Sequence, residues 1–100
     1  MLLYNVTVII EDESAAAWLL WMVEEQIPKI MDTGMFISNR LLRVLESPNE
    51  GVTFCTQYVV QTMEDYTNYL ENFEPALQHE LDIKFKDKYV SFRTIMEYIA

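Results

Sequence analysis

The stretch YNVTVII (residues 4–10) decides how the rest of the chain is read. As a β-strand its side chains alternate between two faces. Tyr4, Val6, Val8 and Ile10 fall on one face, and Asn5, Thr7 and Ile9 on the other. The first face is apolar and must be buried. The second carries an amide and a hydroxyl among apolar residues, which predicts a face that is at least partly covered as well.

Working outward, the first strand spans about Leu2–Ile10, and EDES (11–14) supplies the acidic residues and serine that suit the positive end of a helix. The first helix is expected from about Ser14 to Met31. Its core stripe is Ala15, Trp18, Leu19, Met22, Val23, Gln26, Ile27 and Ile30. Pro28 should kink or tighten its last turn, and Gly34 is a natural stop. A second strand (Phe36–Glu46), the turn SPNEG (47–51) and a third strand (Val52–Gln61) read as a hairpin. TMED (62–65) fits a capping box. The second helix then places Met63, Tyr66, Leu70, Phe73, Leu77 and Leu81 at helical spacing. Pro75 in its middle predicts a kink or two helices end to end. FKDK (85–88) leads into a fourth strand, Lys88–Ile99.

The order β-α-β-β-α-β is that of a single ferredoxin-like α+β domain, with one four-stranded antiparallel sheet and both helices on one face. In the third strand the even residues are Val52, Phe54, Thr56, Tyr58 and Val60; in the fourth they are Val90, Phe92, Thr94, Met96 and Tyr98. The even positions of strands one, three and four are read together as an almost wholly apolar face. The odd positions combine Leu3, Ile9, Val59, Ile95 and Ile99 with Asn5, Thr7, Gln57, Ser91 and Arg93. Helices cover one face, and a second copy of the chain is the simplest cover for the other, through a two-fold interface. Which face meets the helices stays open.

Composition narrows the function. The formal net charge of −9, with no cluster of Lys or Arg, disfavours nucleic acid and anionic membranes. A single cysteine, Cys55, excludes an internal disulfide and multi-cysteine zinc patterns. Gly-rich phosphate loops, HExxH and GxSxG are lacking, so no cofactor is expected. The beginning MLLYNV lacks the pattern of a signal peptide, and a cytoplasmic location is expected.

YNVTV, WLLWMVEEQIP…MDTGMF, TQYVVQTMEDYTNYLE and FKDKYVSFRT together resemble the family catalogued as domain of unknown function 4286, over nearly the whole chain. That family in turn resembles the dimeric α+β barrel superfamily, whose ferredoxin-like units pair their sheets across a dimer axis. The resemblance implies the fold and the dimer and brings no assigned activity. The wider superfamily includes cofactor-free monooxygenases, lactone isomerases and haem-degrading enzymes. The haem-degrading members use an Asn on the first strand, a Trp near the end of the third, and a His late in the second helix. Asn5 and His79 stand in roughly comparable places, but Val60–Thr62 holds no Trp.

The candidate ligand-binding residues are accordingly Asn5, Thr7, Gln57 and Arg93, with Asn5, His79 and Arg93 as the catalytic candidates. Asn5, Thr7 and Gln57 either orient a ligand or satisfy one another between strands. His79, the only histidine, lies opposite the apolar stripe of its helix and reads as solvated unless Pro75 re-aims it. Arg93 either holds a ligand carboxylate or, the favoured reading, pairs with an acid on a helix or the other subunit. Trp21 falls off the core stripe and suggests a contact surface. The expected function is a homodimeric small-molecule-binding or interaction module with a partly polar cavity. The alternative is a cofactor-light enzyme such as a monooxygenase or isomerase.

Overall fold

The computed structural model describes residues 1–100. Its strands are β1 (Leu2–Ile10), β2 (Ser38–Arg43), β3 (Val52–Val60) and β4 (Tyr89–Glu97). All pairings are antiparallel and the spatial order is β2-β3-β1-β4, so the YNVTVII strand is central. Its β-branched and aromatic residues suit a strand covered on both sides. The helices are α1 (Asp12–Trp21), α2 (Ile27–Asp32), α3 (Met63–Asn72) and α4 (Glu74–Lys84). This is the expected ferredoxin-like βαββαβ arrangement.

The apolar face of β1 is the one that meets the helices. Trp18 of α1 stacks on Phe54 of β3 with ring centroids 4.9 Å apart. At the other end of the sheet Tyr4 packs edge-on against Tyr66 of α3 at 5.2 Å. The core forms two clusters, one around Val8, Trp18, Phe54 and Phe85, the other around Tyr4, Phe36, Tyr58 and Tyr69. Trp18 is fully buried, and truncating such a ring costs about 3–5 kcal/mol.

The parity of β4 differs from expectation. Even residues of β1 sit beside even residues of β3, as Tyr4 beside Tyr58, but beside odd residues of β4, as Val6 beside Arg93. Ser91, Arg93 and Ile95 therefore share the helix side with Tyr4 and Val8. Val90, Phe92, Thr94 and Met96 share the open side with Asn5, Thr7 and Gln57. A one-residue difference in register carries every side chain of a strand to the other face. Both sets of β4 contain large apolar residues, so hydrophobic pattern alone did not fix that register.

The first helix is interrupted by a π-helical turn, Met22–Gln26, in which the Ile27 N–H reaches back to the Met22 carbonyl. Pro28 follows directly. In an unbroken α-helix its ring would press on the carbonyl four residues back, and the wider turn provides the room. The extra residue also re-phases the helix. Gln26, Ile27 and Ile30 are buried after the turn, whereas Val23, expected in the core, is exposed. The break at Pro75 is resolved as two helices end to end, meeting at Phe73. Thr62 caps α3 as expected, accepting the Asp65 N–H at 3.1 Å.

Gly51, at the start of the return strand, has φ +85°, and a Cβ there would lie 2.5 Å from the Ile10 carbonyl oxygen. Gly34 has φ +77° with open space around it. Gly34→Ala should cost about 1–2 kcal/mol from its left-handed backbone alone. Gly51→Ala should cost clearly more in urea unfolding, because strand pairing beside Ile10 must also shift; equal losses would contradict this placement of the turn.

Candidate functional site

Val6 and Met31 pack against both core clusters. Bounded by the sheet on one side and by α1, α2, α3 and α4 on the other lies a partly open cavity of about 310 Å³. That is the lower end of the size range typical of small-molecule sites, about 300–1,000 Å³. The sheet contributes Tyr4, Val6, Val8, Thr56, Tyr58 and Arg93, and the helices contribute Trp18, Met22, Gln26, Tyr69, Glu74 and Leu77.

Three buried side-chain atoms have no hydrogen-bond partner in the protein: Trp18 Nε1, Gln26 Oε1 and Tyr58 OH. All three residues line this cavity. The π-helical turn brings Gln26 there, and its Nε2 is tied down by donating to the Leu77 carbonyl at 3.1 Å. The amide is thus held by its nitrogen while its oxygen remains free. A buried donor or acceptor left unpaired costs about 1–3 kcal/mol, so three of them on residues around one cavity are a costly feature of this packing.

At the β4 side, Tyr4 OH donates to one oxygen of Glu74 and Arg93 donates to the other. Glu74 opens α4 beside Pro75, in the first turn, where a carboxylate is favoured by the helix dipole. Its side chain is 14% exposed against 55% for Arg93, so the pair runs from the cavity wall to the surface. Burial, reinforced by the hydrogen bond to Glu74, pushes the Tyr4 phenol far up. Burial likewise raises Tyr58 and Tyr69, with the Glu74 charge adding to the effect on both. The phenols keep their protons throughout the neutral range.

The candidate residues from the sequence are thereby divided. Arg93 is on the cavity side, paired with a helix carboxylate. Asn5, Thr7 and Gln57 are on the opposite side of the sheet, where Asn5 donates to Thr7 at 3.1 Å and accepts from Gln57 at 3.2 Å. The expected grouping of these three with Arg93 on one face is corrected by the register of β4. His79 is exposed on α4 and absent from the cavity wall, so it does not meet Asn5 or Arg93. Trp21 is corrected too. It is buried, with its ring 5.7 Å from Phe85, because the end of α4 packs over that side of α1. No group of three or more His, Cys, Asp or Glu is arranged to hold a metal ion.

Sequence reasoning missed Tyr4, Tyr58, Tyr69, Glu74 and the polar role of Gln26. The available signal was the repeated phenol on core-facing positions, since a buried Tyr usually needs a partner for its hydroxyl.

The fold and site define a ferredoxin-like domain with a polar-studded cavity between sheet and helices. Residues 1–99 match the family described as Domain of unknown function (DUF4286), and the chain belongs to that family. No curated protein matches it in sequence. Among solved structures, it is similar to a dimeric ferredoxin-like protein from an uncultured marine organism, with TM-score 0.75, 11% identity, and 99% of this chain and 95% of that one covered. It is also similar to a point mutant of SnoaB, a cofactor-independent oxygenase from Streptomyces nogalater, with TM-score 0.70, 12% identity and coverage of 99% and 94%. A third is an ethyl tert-butyl ether d (ethd) family protein from Bacillus halodurans, with TM-score 0.68, 16% identity and coverage of 99% and 100%. At these identities the likeness establishes the shared fold.

The buried phenols make stability sensitive to alkali. Above the ordinary tyrosine value of 10.0 the unfolded chain releases protons that the folded chain keeps. Stability should therefore be level with respect to these groups below about pH 10 and fall as pH rises further. Tyr58→Phe removes one such group and a hydroxyl without a partner. It should cost less than about 1 kcal/mol at neutral pH and make the alkaline fall shallower. An unchanged alkaline slope in urea unfolding would refute the burial of that phenol.

Proposed function

We propose that the protein is a homodimeric small-molecule-binding module, with the ligand held between the sheet and the helices. The observation that carries this reading is the cavity of about 310 Å³ between sheet and helices, walled mainly by apolar and aromatic side chains with the Glu74–Arg93 pair among them. The ligand is assigned to the space between Val6 and Val8 of the sheet and Met22 and Leu77 of the helices, with the Glu74–Arg93 pair at its wall. No resident cofactor is invoked.

The open sheet face supports the dimer. Val90 and Phe92 are 62% and 57% exposed there, alongside exposed Leu42 and Met96. The Asn5–Thr7–Gln57 cluster in its centre is already hydrogen-bonded internally, so a covering partner need not satisfy it. A second copy of the same face covers both, and the dimeric ferredoxin-like protein shares this fold. The net charge of −9 favours a small molecule over nucleic acid or an anionic membrane as the further partner.

Catalysis without a cofactor is the second reading. It is favoured by the Glu74 carboxylate reaching the cavity between a phenol and a guanidinium, and by the likeness to a cofactor-independent oxygenase. A bound compound recovered with unchanged mass after aerobic incubation would decide against it.

The neutral fluorophore N-phenylnaphthylamine tests the binding reading. It should brighten on binding the wild type, and Val6→Trp, which fills the cavity from the sheet side, should abolish the signal. Sedimentation should give a dimer for both, and a monomer for Phe92→Glu. Fluorescence retained in Val6→Trp would refute the cavity assignment, and a monomeric wild type would refute the dimer.

A further inference from the structure

The wall of the cavity is not equally open to a ligand. Tyr4, Trp18 and Tyr58 are buried, Val6, Leu77 and Gln78 are half-buried, and Ser91 and Arg93 are exposed. The cavity therefore opens between the edge strand β4 and α4. Val6 is on the central strand and points to the helices, so the surface it keeps faces this space. In the sheet register Arg93 is beside Val6, and Ser91 beside Val8. Paired residues on neighbouring antiparallel strands lie about 4.5–5.5 Å apart between Cα atoms. A molecule resting on Val6 thus has its edge next to both polar side chains.

Arg93 is the one cation of the wall, and most of its donors are unused. A guanidinium carries five N–H donors. Within the protein Arg93 makes a single hydrogen bond, from Nη1 to Glu74. Its side chain is 55% exposed, which leaves the other donors at the mouth. Glu74 does not need them, because its second oxygen accepts from Tyr4. For the same reason the wall offers no free carboxylate to a cationic head. A second carboxylate can share the guanidinium. The planar fork suits bidentate contacts, and water at the mouth screens the repulsion from Glu74. The net charge of −9 resists a multiply charged anion far more than a single carboxylate.

An apolar cavity of about 150 Å³ holds benzene in another protein, so about 310 Å³ leaves room for a body of two fused rings. We infer that the ligand is an amphipathic monocarboxylate. Its apolar body lies between Val6 and Leu77, and its carboxylate accepts from the free N–H groups of Arg93 at the mouth, beside the Ser91 hydroxyl. This rests on the proposed binding function and specifies its ligand class. Arg93 serves two carboxylates, holding Glu74 with one nitrogen and the ligand with the others.

Calorimetry at neutral pH with naphthoate and naphthamide tests this, because the two share a shape and differ in charge. The wild-type protein should bind naphthoate about tenfold more tightly. Arg93→Gln should bring naphthoate down to the affinity of naphthamide, and unchanged naphthamide binding shows that the variant is folded. Glu74→Gln removes the competing charge and should widen the preference for naphthoate. Val6→Trp from the sheet side and Leu77→Trp from the helix side should each remove both signals. Naphthoate that binds no tighter than naphthamide overturns the carboxylate class while leaving the cavity reading intact. A preference that survives Arg93→Gln, or one that narrows in Glu74→Gln, overturns the assignment to Arg93. No binding of either compound, or binding that survives both tryptophan variants, removes the cavity reading and the inference with it.

Discussion

The contact on which the site depends joins three elements through one carboxylate. Tyr4 from the central strand and Arg93 from the edge strand β4 both donate to Glu74 at the start of α4. The helix layer is thereby fixed against the sheet at the point where α3 gives way to α4. Pro75 assists, since it favours the first turn of a new helix and cannot continue the old one. With α4 held there, the Leu77 carbonyl is in position to accept the Gln26 side-chain N–H, which fixes Gln26 at the cavity wall. The Arg93 half of the contact is more than half exposed and contributes modestly to stability, of order 1 kcal/mol or less. Its main effect is geometric.

A cavity in the middle of a small core is destabilising. Large-to-small changes in cores show costs that grow with the empty volume left behind, and a domain of this length has little stability in reserve. The compensation lies at the two ends, in the Trp18–Phe54 stack and in the ring cluster of Tyr4, Phe36, Tyr58 and Tyr69. Departures from best packing, such as unpaired buried polar atoms and a π-helical turn, are the kind expected where a protein gives up stability for binding. Here both departures concern the same residue, Gln26.

The fold was legible because strong local signals agreed: alternation in YNVTVII, turn residues in SPNEG, the cap in TMED and helical spacing between. The capping bond of Thr62 and the break at Pro75 follow directly from residue type. The site was less legible because it depends on quantities that sequence does not carry. The parity of β4 is set by strand register, and it separates Arg93 from Asn5, Thr7 and Gln57. The phase of the first helix is set by a π turn, which leaves Val23 outside and takes Gln26 inside. Trp21 is covered by Phe85, a residue distant in sequence that no periodicity within α1 could announce. Glu74 resembled any other first-turn acid until the fold brought Tyr4 and Arg93 to it.

The measurement that bears most directly on this account is a native mass spectrum of the protein purified from the cell that makes it. The account predicts a dimer retaining a small molecule that is released on collisional activation. A bare dimer would contradict the binding role, and a bare monomer would contradict the covered sheet face as well.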